Sequence, residues 1–315
     1  FSAELLKTLL WASDYYQHPI GDTLATALPK LIRSGSPIEP PAEIRYRALP
    51  PDQGLESQLA RAPRQRELLE TLTHSGPLSI AEIRQAGFDR ALIKQLEDKG
   101  LTETVLADRS DEKPGPNVMV TASAVRPNAE QIRALTAIAP ELGFQCSLLD
   151  GVTGSGKTEV YMQVMTKVLE AGRQCLLLVP EIGLTPQNLR RFEQRFNCPV
   201  VAMHSAMTDR ERLRAWRAAR SGSAPIVIGT RSAVFLPLAN PGIIIIDEEH
   251  DASFKQQEGL RYSARDFAVK RAQLENIPAV LGSATPSLES LNNALAGKFQ
   301  HLKLSQRAGS ASAPK

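Results

Sequence analysis

An α/β fold built on a doubly wound parallel sheet is the fold class this sequence predicts, and three observations carry it. Six short runs, at 146–149, 175–179, 200–203, 226–228, 243–246 and 279–281, are apolar throughout, as strands covered on both faces must be. Helix starts stand between them: Thr185-Pro186, Thr208-x-x-Glu211, Ser263-x-x-Asp266 and Thr285-Pro286. The first run leads into a glycine-rich turn that opens a helix, with Val160, Val164, Met165, Val168 and Leu169 at helical spacing. Ligands of such a sheet lie at the carboxyl ends of its strands.

The turn is Gly151-Val152-Thr153-Gly154-Ser155-Gly156-Lys157-Thr158, a match to G-x-x-x-x-G-K-[ST]. Glycines let backbone N–H groups close around phosphate oxygens without a Cβ clash, and the helix behind them adds its own unpaired N–H groups. Lys157 is expected to reach the β- and γ-phosphates of ATP and the Thr158 hydroxyl to ligate Mg²⁺. The run at 243–246 ends in Asp247-Glu248-Glu249-His250. Asp247 is the expected partner of Mg²⁺, Glu248 the group that polarises the attacking water, and His250 the residue at the junction with the neighbouring strand end. After the last run come Ser283, Ala284 and Thr285, whose hydroxyls are placed to bond the Glu/His end of the acidic motif and so couple it to the nucleotide state. Thr285 also reads as an N-cap with Pro286 behind it. Gln131 has two readings: an adenine-reading amide, or the third position of a capping box with Asn128.

Composition limits the alternatives. The 315 residues suffice for two or three domains, and 42% apolar with 23% charged residues describe a soluble globular protein. A net charge of +3 supplies no global basic field, so any nucleic-acid surface must be local. Cys146, Cys175 and Cys198 lack C-x-x-C spacing and read as reduced core residues of a cytoplasmic protein. No apolar stretch approaches the roughly 20 residues a membrane helix needs.

Upstream of the sheet the pattern changes. Residues 1–33 read as helical, with Leu5, Leu6, Leu9 and Leu10 on one face and a turn at His18-Pro19-Ile20-Gly21. Residues 34–54 hold five prolines and no strong period, and 41–54 is taken as a linker. The unit 55–107 shows a helix near 64–72, a capping box Ser79-x-x-Glu82, a break at Gly87, a further helix capped by Asp89 and closed by Gly100, then a short strand. That is the outline of a winged helix, and equally of a three-helix bundle. Arg90, Lys94 and Lys99 on its candidate recognition helix are matched by Asp89, Glu97 and Asp98, so DNA docking and a structural role both stand. A second linker, 108–125, leads to the nucleotide-binding lobe, 126–304, and a tail, 305–315. The basic helix Arg210, Arg212, Arg214, Arg217 and Arg220 reads as a solvated face, with DNA contact as the alternative.

The order of these motifs is that of superfamily 2 helicases. Their wording, GVTGSGKTEVY at 151–161, VPEIGLTPQ at 179–187, IGTRSA at 228–233, DEEHD at 247–251 and GSATPS at 282–287, closely resembles the primosomal protein N′ (PriA) family of replication-restart helicases. WASDYYQHPIG at 11–21 looks like the end of that family's N-terminal 3′-DNA-end-binding domain, which assigns residues 1–40 to it. The resemblance implies a RecA-like lobe in an ATP- and Mg²⁺-dependent 3′→5′ DNA helicase. It implies forked and single-stranded DNA, primosome proteins and single-strand-binding protein as partners, a monomer, and a cytoplasmic, nucleoid-associated location. It places Thr185, Gln187, Thr230 and Arg231 on the DNA face, where hydroxyl, amide and guanidinium groups suit sequence-independent phosphate contacts; a surface ion pair is the other reading of Arg231. Residues 253–262 resemble the family's aromatic loop. There Phe254 and Tyr262 are expected to stack on bases and Lys255 and Arg261 to hold phosphates, unless both rings pack against the lobe. Leu260 stands where that family carries a tryptophan. The family's second motor lobe and its zinc-binding cysteines are expected beyond Lys315, and a part is expected upstream of Phe1, so that this piece binds ATP and DNA but hydrolyses poorly. A double-strand translocase and an ATP-liganded fork-binding scaffold are the alternative functions.

Overall fold

The structure, a computed structural model, describes residues 1–39, 44–49, 62–106, 126–139, 141 and 143–307. The expected linker at 108–125, the flanks of the one at 41–54, and most of the tail lie outside these residues. The chain divides into two compact units, residues 37–114 and residues 1–36 with 115–315.

The larger unit carries a seven-stranded sheet. Its strands are β4 (Cys146–Gly151), β5 (Gln174–Leu178), β6 (Val200–Met203), β7 (Ile226–Gly229), β8 (Pro241–Ile246), β9 (Ala279–Ser283) and β10 (Gln300–Leu304), in the order β10-β4-β9-β8-β5-β7-β6. Every neighbouring pair is parallel. Side chains alternate across the sheet with period two, so each strand feeds two cores. Leu148, Leu176, Leu178, Ile244, Ile246 and Leu281 face one core, and Leu149, Cys175, Leu177, Ile243, Ile245 and Val280 the other. The second core is closed by α7 (Ala129–Ala137), α8 (Lys157–Glu170) and α9 (Pro186–Phe196), the first by α10 (Asp209–Ser221), α11 (Ala264–Glu275) and α12 (Leu288–Leu295). The architecture is the RecA-like α/β fold expected, with one strand more: β10 alternates Gln300, Leu302 and Leu304 with His301 and Lys303, an edge-strand pattern that a search for unbroken apolar runs passes over.

The first core also takes in the amino-terminal helices α1 (Ala3–Tyr15), α2 (Ile20–Thr26) and α3 (Lys30–Arg33). Leu5, Leu9 and Ala12 of α1 are buried, whereas Leu6 and Leu10, expected on the same face, are 39% and 44% exposed. Leu5 and Leu9 lie one turn apart, and Thr8 and Ala12 complete their stripe. The hydroxyl of Tyr16 accepts from the Ser263 N–H at 3.2 Å, and the Trp216 indole donates to the Ala27 carbonyl at 3.2 Å.

In the smaller unit, α4 (Pro63–Ser75), α5 (Ile80–Gln85) and α6 (Arg90–Asp98) enclose Leu68, Leu72, Ile83, Ile93 and Leu96. The Ser79–Glu82 capping box and the Asp89 cap both form. An antiparallel sheet of β2 (Leu78–Ser79), β1 (Ile44–Ala48) and β3 (Thr102–Leu106) has β1 at its centre. Residues 44–48 were expected within the linker 41–54. They form a strand because Tyr46 reaches the core between Arg45 and Arg47.

Candidate nucleotide-binding site

β4 ends at the glycine-rich turn, β8 at the acidic motif, and β9 runs between them, so the three motifs meet at adjacent carboxyl ends. Gly154 and Gly156 lie at φ +82° and +84°, where a Cβ is strained. A Cβ on Gly151 would come within 2.6 Å of Ser155 Oγ and 3.1 Å of Lys157 Cγ, so only glycine lets the loop close. Lys157, the first residue of α8, is buried; its Nζ donates to the Gly151 carbonyl at 2.8 Å and stands 3.7 Å from Glu248 Oε1. Thr158 lines the same cavity, of about 380 Å³, as Asp247, Glu248 and His250. Ser155 Oγ is buried without a hydrogen-bond partner, one atom's worth of unspent polarity inside the loop. Loop glycines, a buried lysine, an orphaned hydroxyl and two carboxylates across from Thr158 fit a magnesium–triphosphate group.

The three carboxylates of the acidic motif go to three different partners. Asp247 Oδ1 accepts from the Tyr161 hydroxyl at 3.0 Å, and burial, reinforced by Glu248, pushes the Asp247 carboxyl above its usual range. Glu248, in the left-handed region at φ +49°, turns toward Lys157 and lies 3.6 Å from His250 Nδ1. Glu249 points inward and is buried: it accepts from the Ser287 N–H at 2.7 Å, the Ser287 hydroxyl at 2.9 Å, the Ser290 hydroxyl at 2.8 Å and Arg265 Nη1 at 3.3 Å. His250 Nδ1 and Ser283 Oγ are 2.7 Å apart, the bond expected between the acidic motif and the last strand end. Thr285 differs from expectation. Its N–H donates to Ser283 Oγ at 3.0 Å, and Ser287 caps α12, because Glu249 holds Ser287 at the helix entrance. Ala284 lies between these two hydroxyl residues in the turn after β9.

Gln131 forms the capping box, the second of its two readings. Its side-chain oxygen accepts from the Asn128 N–H at 2.9 Å and its amide donates to the Ser155 carbonyl at 2.9 Å. The buried amide is thus spent on the capping box and on the phosphate loop.

The residues expected to meet DNA divide into two groups. Thr185 and Gln187 are exposed at the start of α9, where Thr185 caps the helix. Thr230 is buried at the end of β7. Arg231 Nη1 donates to the Ser253 and Lys255 carbonyls at 3.0 and 2.8 Å, so its guanidinium clamps the following loop rather than a surface carboxylate. Lys255 and Arg261 are exposed on that loop. Phe254 and Tyr262, expected to stack on bases, are 2% and 4% exposed; Tyr262 packs edge-on against Phe235 and Phe267. Neither ring presents a face, so both are core residues, and Leu260 is buried with them. The basic face of α10 is also partly spent: Arg212 donates to the His204 and Ser205 carbonyls, and Arg220 lies over the Trp216 ring.

Two site residues escaped the sequence reading, Tyr161 and Glu249. Tyr161 follows Lys157 by one helical turn, which places both on one face, and Glu249 is the acidic residue left without a role once Asp247 and Glu248 have theirs. Cys146, Cys175 and Cys198 are buried and unbridged, and no helix among the described residues is long and apolar enough to cross a membrane.

A family model described as DEAD/DEAH box helicase matches residues 128–294. The chain belongs to that family. Like other DEAD/DEAH box helicases it has close relatives, among them "Replication restart protein PriA" of Haemophilus influenzae, 43% identical over 312 residues, which cover 97% of this chain and 42% of that protein. The protein of the same name from Bacillus subtilis is 50% identical over 160 residues, 51% of this chain and 20% of its own length. The chain therefore spans less than half the length of the curated relatives it matches. Among solved structures, that of RecG bound to a three-way DNA junction is 25% identical, with a TM-score of 0.46, over 61% of this chain and 25% of that one.

Proposed function

We propose that this chain is the ATP-binding motor lobe of a DNA helicase of replication restart, translocating 3′→5′ and remodelling stalled or abandoned forks. The observation that carries the reading is that Thr158, Asp247 and Glu248 line one cavity, with Lys157 Nζ 3.7 Å from Glu248 Oε1. The close PriA relatives support the replication-restart setting.

In this reading residues 151–156 wrap the phosphates with backbone N–H groups, and Lys157 exchanges its carbonyl contact for phosphate oxygens. Thr158 and Asp247 hold Mg²⁺, whose charge offsets that of the phosphates. Glu248 orients the attacking water and takes its proton. His250 and Ser283 pass the state of the Glu248 end to the strand end at β9, with Ala284 and Thr285 in the turn that responds. Thr185, Gln187, Lys255 and Arg261 face the sugar–phosphate backbone of single-stranded or forked DNA, and Arg231 holds the loop that carries Lys255. Residues 55–107 are read as a winged helix, and residues 1–40 as the end of a DNA-end-binding domain. Primosome proteins and single-strand-binding protein are the partners this reading names, in the cytoplasm at the nucleoid.

The test is binding of a fluorescent ATP analogue. Lys157→Ala is expected to weaken it by more than about 100-fold, while Glu248→Gln leaves binding intact and removes turnover. An unchanged affinity in Lys157→Ala would refute the reading.

A further inference from the structure

We propose that Tyr161 is a positioning residue for the metal-ligating carboxylate: its hydroxyl fixes the rotamer of Asp247, and position 282 is glycine to make room for it. The inference rests on the nucleotide-binding reading and extends it to a residue that the phosphate-loop and acidic motifs leave out. Three observations converge. Tyr161 is only 1% exposed, so its hydroxyl needs a partner inside the protein, and Asp247 Oδ1 is that partner at 3.0 Å. The backbone of Asp247 is held separately, its N–H donating to the Leu178 carbonyl at 2.9 Å, so the tyrosine bond sets the side chain alone. A Cβ built on Gly282 would lie 1.6 Å from the Tyr161 oxygen and 2.8 Å from Cζ, a space no other residue type leaves open.

The chemistry favours a phenol over the alternatives. A lysine at 161 would neutralise Asp247 and compete with the cation. A neutral O–H donor holds one carboxylate oxygen and leaves the charge, and the second oxygen, for the metal side. Because Tyr161 stands one turn beyond Lys157 on α8, the helix that carries the phosphate-binding lysine also aims the metal ligand. Gly282 then ties the end of β9 to the same atom.

The experiment compares the wild-type chain, Tyr161→Phe and Lys157→Ala by Mn²⁺ electron paramagnetic resonance and by binding of a fluorescent ATP analogue, with and without EDTA. Phenylalanine keeps the packing and removes only the donor. Tyr161→Phe is expected to bind the analogue in EDTA as the wild type does, but to need about tenfold more Mn²⁺ for half-saturation in its presence. Lys157→Ala loses the analogue at every metal concentration. Failure of the wild type to bind the analogue overturns the underlying reading; a wild type that binds, with Tyr161→Phe within twofold of it in Mn²⁺ requirement, overturns the role of Tyr161 alone. The steric half is tested by urea denaturation: Gly282→Ala should shift the midpoint less in the Tyr161→Phe background than in the wild type, and equal shifts refute it.

Discussion

Replacing Glu249 by alanine isolates a buried polar crosslink of four hydrogen bonds in the lobe. The carboxylate accepts three bonds of 2.7 to 2.9 Å from Ser287 and Ser290 and a fourth at 3.3 Å from Arg265, and Glu249, Ser290 and Arg265 are buried. A hydrogen bond to a charged group contributes about 1.5–3 kcal/mol, and removing one member of a buried ion pair costs about 3–5 kcal/mol. The donors are neighbours, so these figures do not add. Ser287 keeps its capping bond to the Ser290 N–H, and Arg265 keeps Asp266. The expected loss is therefore about 4 kcal/mol, which lowers the melting temperature of a unit of this size by about 8–16 °C. Glu249→Gln, with the same shape and one acceptor, should lose about half as much. Urea denaturation followed by tryptophan fluorescence is the assay. Trp11 and Trp216 both lie in the larger unit, so the signal follows that unit without residues 37–114. A Glu249→Ala stability within about 1 kcal/mol of wild type would show that the crosslink is energetically idle.

Phe254→Ala should destabilise the same unit by about 3–5 kcal/mol while the folded protein keeps its affinity for single-stranded DNA. The reverse pattern, a lost affinity at unchanged stability, would return Phe254 to the DNA surface. The thiols provide a check on the core: burial raises the Cys146 and Cys175 thiols, and pushes Cys198 up to about 11, so at pH 8 all three should resist a thiol reagent until urea unfolds the chain. Rapid modification of the native protein at any of them would contradict the packing.

Local grammar made most of the candidate site legible. A phosphate loop needs glycines at fixed offsets and an acidic strand tip needs a strand, and both requirements are written in consecutive residues. The Ser79–Glu82, Asn128–Gln131 and Thr208–Glu211 boxes form for the same reason, since each cap is satisfied within four residues. What escaped depends on partners far along the chain. Thr285-Pro286 and Ser287 are equally good helix openings in sequence, and Glu249, 38 residues upstream, decides between them. Phe254 and Tyr262 look like a stacking pair until the core of the larger unit takes both in, Tyr262 edge-on against Phe235 and Phe267. β1 hides between prolines because its pairing partners come from 78–79 and 102–106.

The path of the chain through the larger unit makes residues 37–114 an insertion. The polypeptide starts the larger unit with α1–α3, leaves to build a second folded body, and returns to build the sheet. Any shorter version that begins at residue 126 strips Leu5, Leu9 and Ala12 from the α11 side and lays a broad greasy surface open to water. Bridging residue 36 to residue 126 with a plain flexible segment keeps that surface covered, because closing such a gap depends only weakly on how many residues span it. The amino terminus, remote in sequence from every motif of the candidate site, is thus a structural member of the larger unit.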